Sequence, residues 1–191
     1  MKNIMKNRLA LSTVVTTLII LVVSVLLAGV VTYFAINVTS TRVQEENLMV
    51  SKQHVWVDSA GVAQAALMIT NTGGRDVVID KISVRGQESA WTNVFYAMAD
   101  LTDPLDVAAL SADLVYLQAP VAAADDFGLV ATAAAATGDL VLPSGNTMII
   151  YMNTPDSITI NDIGLTVAIT VFTSQAMHYK ETNVEAAMVI P

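Results

Sequence analysis

The sequence predicts an α+β protein: one long apolar helix at the N-terminus, followed by an antiparallel β-sandwich. Three observations carry this. Residues Leu11 to Thr41 include no charged side chain. Beyond Asn47, short runs rich in Val, Ile and Thr recur at even spacing, separated by Gly, Asn, Asp and Pro turns. Short turns at that spacing belong to hairpins, whereas parallel βαβ units need helical crossovers.

The chain has 191 residues, 54% of them hydrophobic, and no cysteine. The part beyond residue 46 is one ordinary domain's worth. It is long enough to bury a core without disulfides, and it offers no thiolate ligand or nucleophile. The formal charge is −8. Removing the three basic residues of 1–10 leaves six of nine Lys and Arg against 17 Asp and Glu, or −11. A surface this acidic repels phosphate backbones and anionic lipid, so no nucleic-acid partner is expected.

The boundaries follow from charge and hydropathy. Residues 1–10 form a basic leader with Lys2, Lys6 and Arg8. Residues 11–47 form the helix and its polar exit, and residues 48–191 the head. Met5-Lys6-Asn7 repeats Met1-Lys2-Asn3, so a start at either Met keeps a basic flank. A membrane span needs about 20 apolar residues, and a signal peptide's apolar region is only about 7–15 long. The run from Leu11 to Asn37 exceeds both. The positive-inside rule places the N-terminus in the cytoplasm and the head outside. A helix reaching about Asn47 is about 55 Å long and projects beyond a bilayer. Ser24, Ala28, Thr32 and Ala35, spaced by four, four and three, share one face, where small residues let helices approach closely. Asn37-Val38-Thr39 is an N-x-[ST] sequon, an acceptor for a glycan if it meets the exterior enzymes and otherwise an ordinary helix residue.

Basic residues, then Leu9-Ala10-Leu11-Ser12-Thr13-Val14-Val15, then a long uncharged helix running into a β-rich domain, resemble an archaeal type IV pilin-like protein. This is the class III signal peptide family, related to archaellins. The resemblance implies cleavage between Ala10 and Leu11 by a prepilin-type signal peptidase. The apolar helix is then retained, sits in the membrane before assembly, and bundles with its copies into a helical homopolymer. The family usually places Lys or Arg two residues before the bond; here that position is Leu9, with Arg8 one earlier. Where bacterial pilins carry Glu at the fifth mature position, this chain has Val15, as in many archaeal members.

Along the head, Gln53 to Val57 begins the strands, with Val55 and Val57 alternating against His54, Trp56 and Asp58. Asp58 to Gly61 is a turn and Val62 to Thr70 an apolar strand. Asn71 to Gly74 is the next turn, with Gly to supply positive φ. In Val77 to Val84, strict alternation puts Val78, Asp80, Ile82 and Val84 on one face. Trp91 to Met98 is an aromatic strand. The stretch at about 100–138 is rich in Ala and Asp, without Lys or Arg. It reads as an elaboration exposed at the outer surface, with Leu114 to Leu117 as a strand inside it and Ala131 to Ala136 as a helical turn or a loop. Leu140 to Leu142 and Thr147 to Met152 are strands. Ile158 to Phe172 holds two apolar runs around Asn161, Asp162 and Gly164. Met177 to Ile190 closes the domain. About eight strands suit a single Ig-like sandwich.

No catalytic constellation stands out, and no enzyme activity or cofactor is expected. His54 and His178 are the only histidines and have no ligand-spaced partner. Ser59 and Ser144 lack a nucleophile-elbow context, and Gly73-Gly74 lacks the Gly-Lys-Ser/Thr of a phosphate loop. Asp100, Asp103 and Asp106 are spaced by three around Pro104 and do not match a Ca²⁺ loop. Two function classes remain: a filament subunit that displays its acidic loops, with adhesion favoured over swimming, and a membrane-anchored exterior module with Trp56 and Trp91 lining a binding site.

Overall fold

In a computed structural model, the residues described are 2–43, 46–117, 120–123, 125, 127, 129 and 132–187, with side chains placed for all of these except 2–10 and 41–43. The chain divides into two compact units, residues 1–44 and 45–191. The first is a single helix, α1 (Lys2–Val43), 42 residues long. It begins within the leader and ends short of the expected Asn47. Asn47 is tied into the head instead: its carbonyl accepts hydrogen bonds from the Thr72 N–H (2.9 Å) and the Gly73 N–H (3.1 Å).

Among the described residues the second unit, the head, carries ten strands: β1 (Leu48–Val57), β2 (Ala63–Asn71), β3 (Val77–Val84), β4 (Gln87–Glu88), β5 (Val94–Ala99), β6 (Ala134–Ala135), β7 (Leu140–Leu142), β8 (Thr147–Asn153), β9 (Thr166–Thr173) and β10 (Met177–Ala186). A second helix, α2 (Pro104–Ser111), lies between β5 and β6. The sheet runs β4-β3-β9-β10-β1-β2-β8-β5-β6, and β7 also pairs with β3. It is mixed, which corrects the purely antiparallel expectation: β1 and β10 run parallel, Val55 opposite Val184 and Val57 opposite Ala186. Parallel neighbours need a long connection, and here nearly the whole head lies between them.

The sheet curls, and its faces sort by residue parity. Val55, Val57, Ala65, Leu67, Ile69, Met148, Ile150 and Met152 point into a main core with Val77, Ile79, Ile82, Val84, Val167, Ile169 and Val171. The alternate residues Trp56, Ala66, Ala97, Ala99, Ile149 and Tyr151 form a second core on the other face of β1, β2, β5 and β8. That core is completed by Leu114, Val121, Phe127, Leu129 and Ala133, all from the segment between β5 and β6. The Ala/Asp-rich stretch expected to be an exposed elaboration is thus a packed excursion lying over one face of the sheet. Its apolar residues outweigh its Asp content because the sheet beneath it is apolar on both sides.

Local departures from the sequence reading have specific causes. In β3, the register shifts between Ile79 and Lys81. The bulge expels Asp80 and brings Val77 and Ile79 onto the same buried face as Ile82 and Val84, where strict alternation had put Val78 and Asp80. β1 starts at Leu48, five residues early, and carries its own bulge between Ser51 and His54, with Lys52 at φ 50°. The 71–74 turn is closed by a side chain rather than by glycine: buried Asn71 donates Nδ2 to the carbonyls of Arg75 (2.8 Å) and Leu142 (3.0 Å) and accepts from the Gly73 N–H (3.0 Å). The expected strand at 114–117 is irregular, whereas Ala134–Ala135 pairs with Tyr96 and Phe95. Trp91–Asn93 and Ile160–Asp162 are 3₁₀ turns, so only one strand, β9, forms between 158 and 173. Ala131, Asp126 and the end of the closing strand at 188–190 lie outside the described residues.

Candidate functional site

The largest unusual surface in the chain is α1. Leu11–Ser40 has a mean hydropathy of 2.9 and 0% of it is buried, and by length and composition it suffices to cross a membrane. At 1.5 Å per residue these 30 residues extend about 45 Å, against a hydrocarbon core of about 30 Å. Four of its hydroxyls are paired with its own backbone. Ser24 Oγ donates to the Ile20 carbonyl at 2.5 Å, and Thr32 Oγ1 to Ala28 at 2.8 Å. Thr16 and Thr17 donate to the carbonyls of Ser12 and Val14, both at 2.9 Å. Such back-bonding costs little helix stability and keeps these four hydroxyls paired in an apolar setting.

At about 100° per residue, Ser24, Ala28, Thr32 and Ala35 fall within an arc of about 80°. All four are exposed. Asn37 is exposed on the helix side roughly opposite that arc, so a helix packed through its small residues turns the sequon outward. The bond between Ala10 and Leu11 lies inside the continuous helix. The side chains of Lys2, Lys6, Arg8, Leu9 and Ala10 are outside the described part.

In the head, polar side chains that looked isolated in sequence have distant partners. His54 stacks on Trp56, with ring centroids 5.1 Å apart and planes 4° from parallel. Its Nε2 lies 3.0 Å from Asp113 Oδ1 and its Nδ1 3.5 Å from Glu185 Oε1. The hydrogen bond from His54 is the largest cause holding the Asp113 carboxyl below the usual carboxylate range. Beside this pair, the Lys52 ammonium donates to the carbonyls of Leu110 and Ala112, clamping the end of α2. His178 Nε2 lies 3.2 Å from Glu46 Oε1, a carboxylate only 6% exposed that also accepts from Thr173 Oγ1 at 2.5 Å. Glu46 reads in sequence as the polar end of the helix; in the structure it is anchored in the head. No local spacing signals these pairs, which join residues 59 and 132 positions apart.

The other candidates serve turns. Ser144 Oγ donates to the Gly73 carbonyl at 2.6 Å and its N–H to Asp76 at 3.0 Å, so both groups close one end of the head. Asp103 caps α2 through the Leu105 N–H at 2.8 Å, and Asp100 accepts from the Thr102 N–H and hydroxyl. Buried Asp106 accepts from the Asp100 N–H at 2.8 Å. The three carboxylates therefore build the start of α2, each bound to its own segment. Among the described residues no group of three His, Cys, Asp or Glu is placed to hold a metal ion. Trp56 and Trp91 do not converge: Trp56 belongs to the second core, and Trp91 packs half-buried against the first.

A cavity of about 70 Å³ opens between Asp58, Val62, Gln64, Tyr116, Asn153 and Thr154. Ligand pockets run to roughly 300–1,000 Å³. Its polar groups are engaged: Asp58 accepts from the N–H groups of Ala60 and Val62 and from the Tyr116 hydroxyl, Gln64 from the Leu117 N–H, and Asn153 exchanges two bonds with Val121. The Val62 N–H is the main cause of the lowered Asp58 pKa, while burial first and the Asp58 bond second raise that of Tyr116.

No family model matches the chain, and no curated protein matches it. Among solved structures, two crystal structures of a β-glucosidase from Listeria innocua, one with glucose and one with isofagomine, are similar to 76% of this chain. The TM-scores are 0.28 and 0.27 at 9% and 13% identity, and the chain spans 16% and 17% of their length. At such scores the likeness carries no argument about fold or activity.

Proposed function

We propose that this chain is a pilin: the structural subunit of an extracellular, archaeal type IV pilus-like filament, built by bundling of α1 and used for adhesion. One observation carries the reading. A fully exposed apolar helix longer than a bilayer joins, within a few residues, a head with its own core and no convergent chemistry among the described residues. Among the described residues none of the Leu11–Ser40 window is buried, so lipid or other copies must cover it. In this reading a prepilin-type peptidase removes residues 1–10. The subunit waits in the cytoplasmic membrane with its N-terminus inside, and the Ser24–Ala35 face then sets close helix packing. Asn37 carries the glycan on the outward side. The head is an Ig-like sandwich, a reading supported by a main core whose residues come from both halves of the sheet.

Intact mass and N-terminal sequencing of the protein from native cell surfaces test this. The expected chain begins at Leu11, with any mass excess assigned to Asn37, and electron microscopy shows filaments composed of it. A chain that keeps Met1 or Met5 and leaves detergent as a monodisperse monomer makes it an anchored exterior module instead.

A further inference from the structure

A pull on α1 reaches the head first at Glu46 and Asn47, and these two residues are tied to different strands. The Asn47 carbonyl accepts from the Thr72 N–H (2.9 Å), the Gly73 N–H (3.1 Å) and the Thr72 hydroxyl (3.1 Å), just beyond the end of β2. The buried Glu46 carboxylate accepts from Thr173 Oγ1 (2.5 Å) at the end of β9 and lies 3.2 Å from His178 Nε2 on β10.

From this point β1 runs on between β2, to which it is antiparallel, and β10, to which it is parallel. Parallel order puts the start of β1 and the end of β10 at opposite ends of the seam between them. A pull on both therefore slides one strand along the other, and the bonds across the seam are strained together. At the far end these are the ladder of Val55, Trp56 and Val57 with Val184, Glu185 and Ala186, and the bond from the Ala187 N–H to the Val57 carbonyl (2.8 Å). Towards the helix, side chains take over. Gln53 Nε2 donates to the Glu181 carbonyl (3.3 Å), and Thr182 Oγ1 to the Gln53 carbonyl (3.0 Å). His54 Nδ1 lies 3.5 Å from Glu185 Oε1. Glu46 closes the near end. Leu48, Val50, Val55, Val57 and Val184 are buried in the main core along the same line, so sliding also drags close-packed side chains past their neighbours.

A pull applied to α1 and to the turn between β9 and β10 acts differently. Both points then lie at the near end, and the seam opens from Glu46 onward. Each bond meets the whole load in turn, and a single hydrogen bond contributes only about 1 kcal/mol net.

We propose that the β1–β10 seam is a tension-bearing clamp: load entering from α1 is taken in shear by the whole seam, and Glu46 holds the end at which it would otherwise peel. Its use in adhesion rests on the filament reading, but the clamp itself needs only one folded chain.

The chain has no cysteine, so introduced thiols attach handles for single-molecule pulling without background. Ser40, Ser174 and Ala186 are exposed. The pair S40C and A186C loads opposite ends of the seam; the pair S40C and S174C loads the near end alone. Both are full-length chains in detergent, and the lifetime under constant force reads the unfolding rate. At the same force the first pair should outlast the second by at least about tenfold, a barrier difference of about 1.4 kcal/mol. E46A should shorten the lifetime of the S40C and S174C pair strongly and that of the S40C and A186C pair little. An equal loss in both marks Glu46 as merely structural and removes it from the clamp. Equal lifetimes for the two pairs with Glu46 in place, or a longer one for S40C and S174C, overturn the proposal. That comparison changes nothing in the seam, so it decides the matter even where E46A does not fold. Single solubilised chains are pulled, so a failed clamp leaves the filament reading standing. A clamp that holds in a protein that keeps Met1 and forms no filaments does the reverse.

Discussion

The strands β1, β2, β5 and β8 are covered on both faces, whereas β3, β7, β9 and β10 are covered on one. In the doubly covered half, β2 and β8 are buried at nearly every position: along β8, six successive residues from Thr147 to Met152 are buried. The singly covered half is less uniformly buried: in β9, Val167, Ile169 and Val171 lie in the main core while Phe172 and Ala168 are only half-buried, and β10 buries Val184 alone. The same sheet therefore carries two sequence grammars, and the one in use tells how many layers lie over each strand. Breaking one layer at a time measures what each contributes.

The largest effect is expected in the shared core. Leu67 is fully buried between the two halves. Leu67→Ala should destabilise the head by about 2–5 kcal/mol, through lost transfer energy plus the cavity left behind. Urea unfolding of the detergent-solubilised chain, followed by tryptophan fluorescence, measures it. Trp56 reports the second core and Trp91 the first, so W56F and W91F backgrounds show whether both layers melt together. Separate midpoints would mean that the excursion is an independent unit.

How much of this was legible depends on where the signal sat. Strands β2, β3 and β8 announced themselves by apolar runs between turn residues, and the apolar helix by the lack of charge from Leu11 to Thr41. The second core was not legible. Its contributors in the excursion, Leu114, Val121, Phe127 and Leu129, follow no period of 2 or 3.6, because irregular chain aims side chains without repeating. Their partners Trp56 and Tyr151 are far away in sequence. The β3 bulge was hidden for a related reason: alternation assumes an unbroken ladder, and one extra residue inverts the phase. Asn71 shows a third limit, since a buried Asn that closes a turn is indistinguishable in sequence from a surface one.

A smaller effect tests how the excursion is fastened. The Tyr151 hydroxyl donates to the Val115 carbonyl at 2.9 Å, and burial pushes its pKa up to about 12 from 10.0. Tyr151→Phe should cost about 1 kcal/mol and leave the Val115 carbonyl short of a partner. Hydrogen exchange at residues 113–117 should then speed up while that of β9 does not. The folded state holds this proton more tightly than the unfolded chain does. Its contribution is therefore fully present below pH 10 and is lost as pH rises from 10 through 12. Tyr116 shifts in the same direction, so the quantity to read is the difference between wild type and Y151F across that window.

Weaker still is the link from Asp113 to His54. Asp113 is 70% exposed, so solvent screening limits Asp113→Asn to well under about 1 kcal/mol at neutral pH. Its carboxyl is held below the usual carboxylate range, so what it contributes is present above the unfolded-state pKa and fades as pH falls through the lower, folded-state value. An acid titration of stability in which D113N and wild type converge at low pH checks the sign. Convergence at high pH instead would overturn the assignment of this effect to Asp113.

The smallest effect on stability is expected on the uncovered face, and this sharpens the comparison most. Met177 and Tyr179 are more than half exposed and belong to neither core. M177S and Y179S should change the unfolding free energy by no more than about 0.5 kcal/mol, the ordinary range for surface substitutions. The same changes at Ile149, on the covered face of the neighbouring half, remove buried apolar area and belong with the Leu67 class. Were M177S and Y179S in the dilute, detergent-solubilised chain to cost as much as a core substitution, that face would already be covered in the isolated molecule. A loss confined to concentrated or assembled protein, with the dilute chain untouched, means instead that apolar side chains at these positions serve a contact between molecules. Met177 and Tyr179 separate those outcomes because their neighbours in β9 and β3 already fill the core without them.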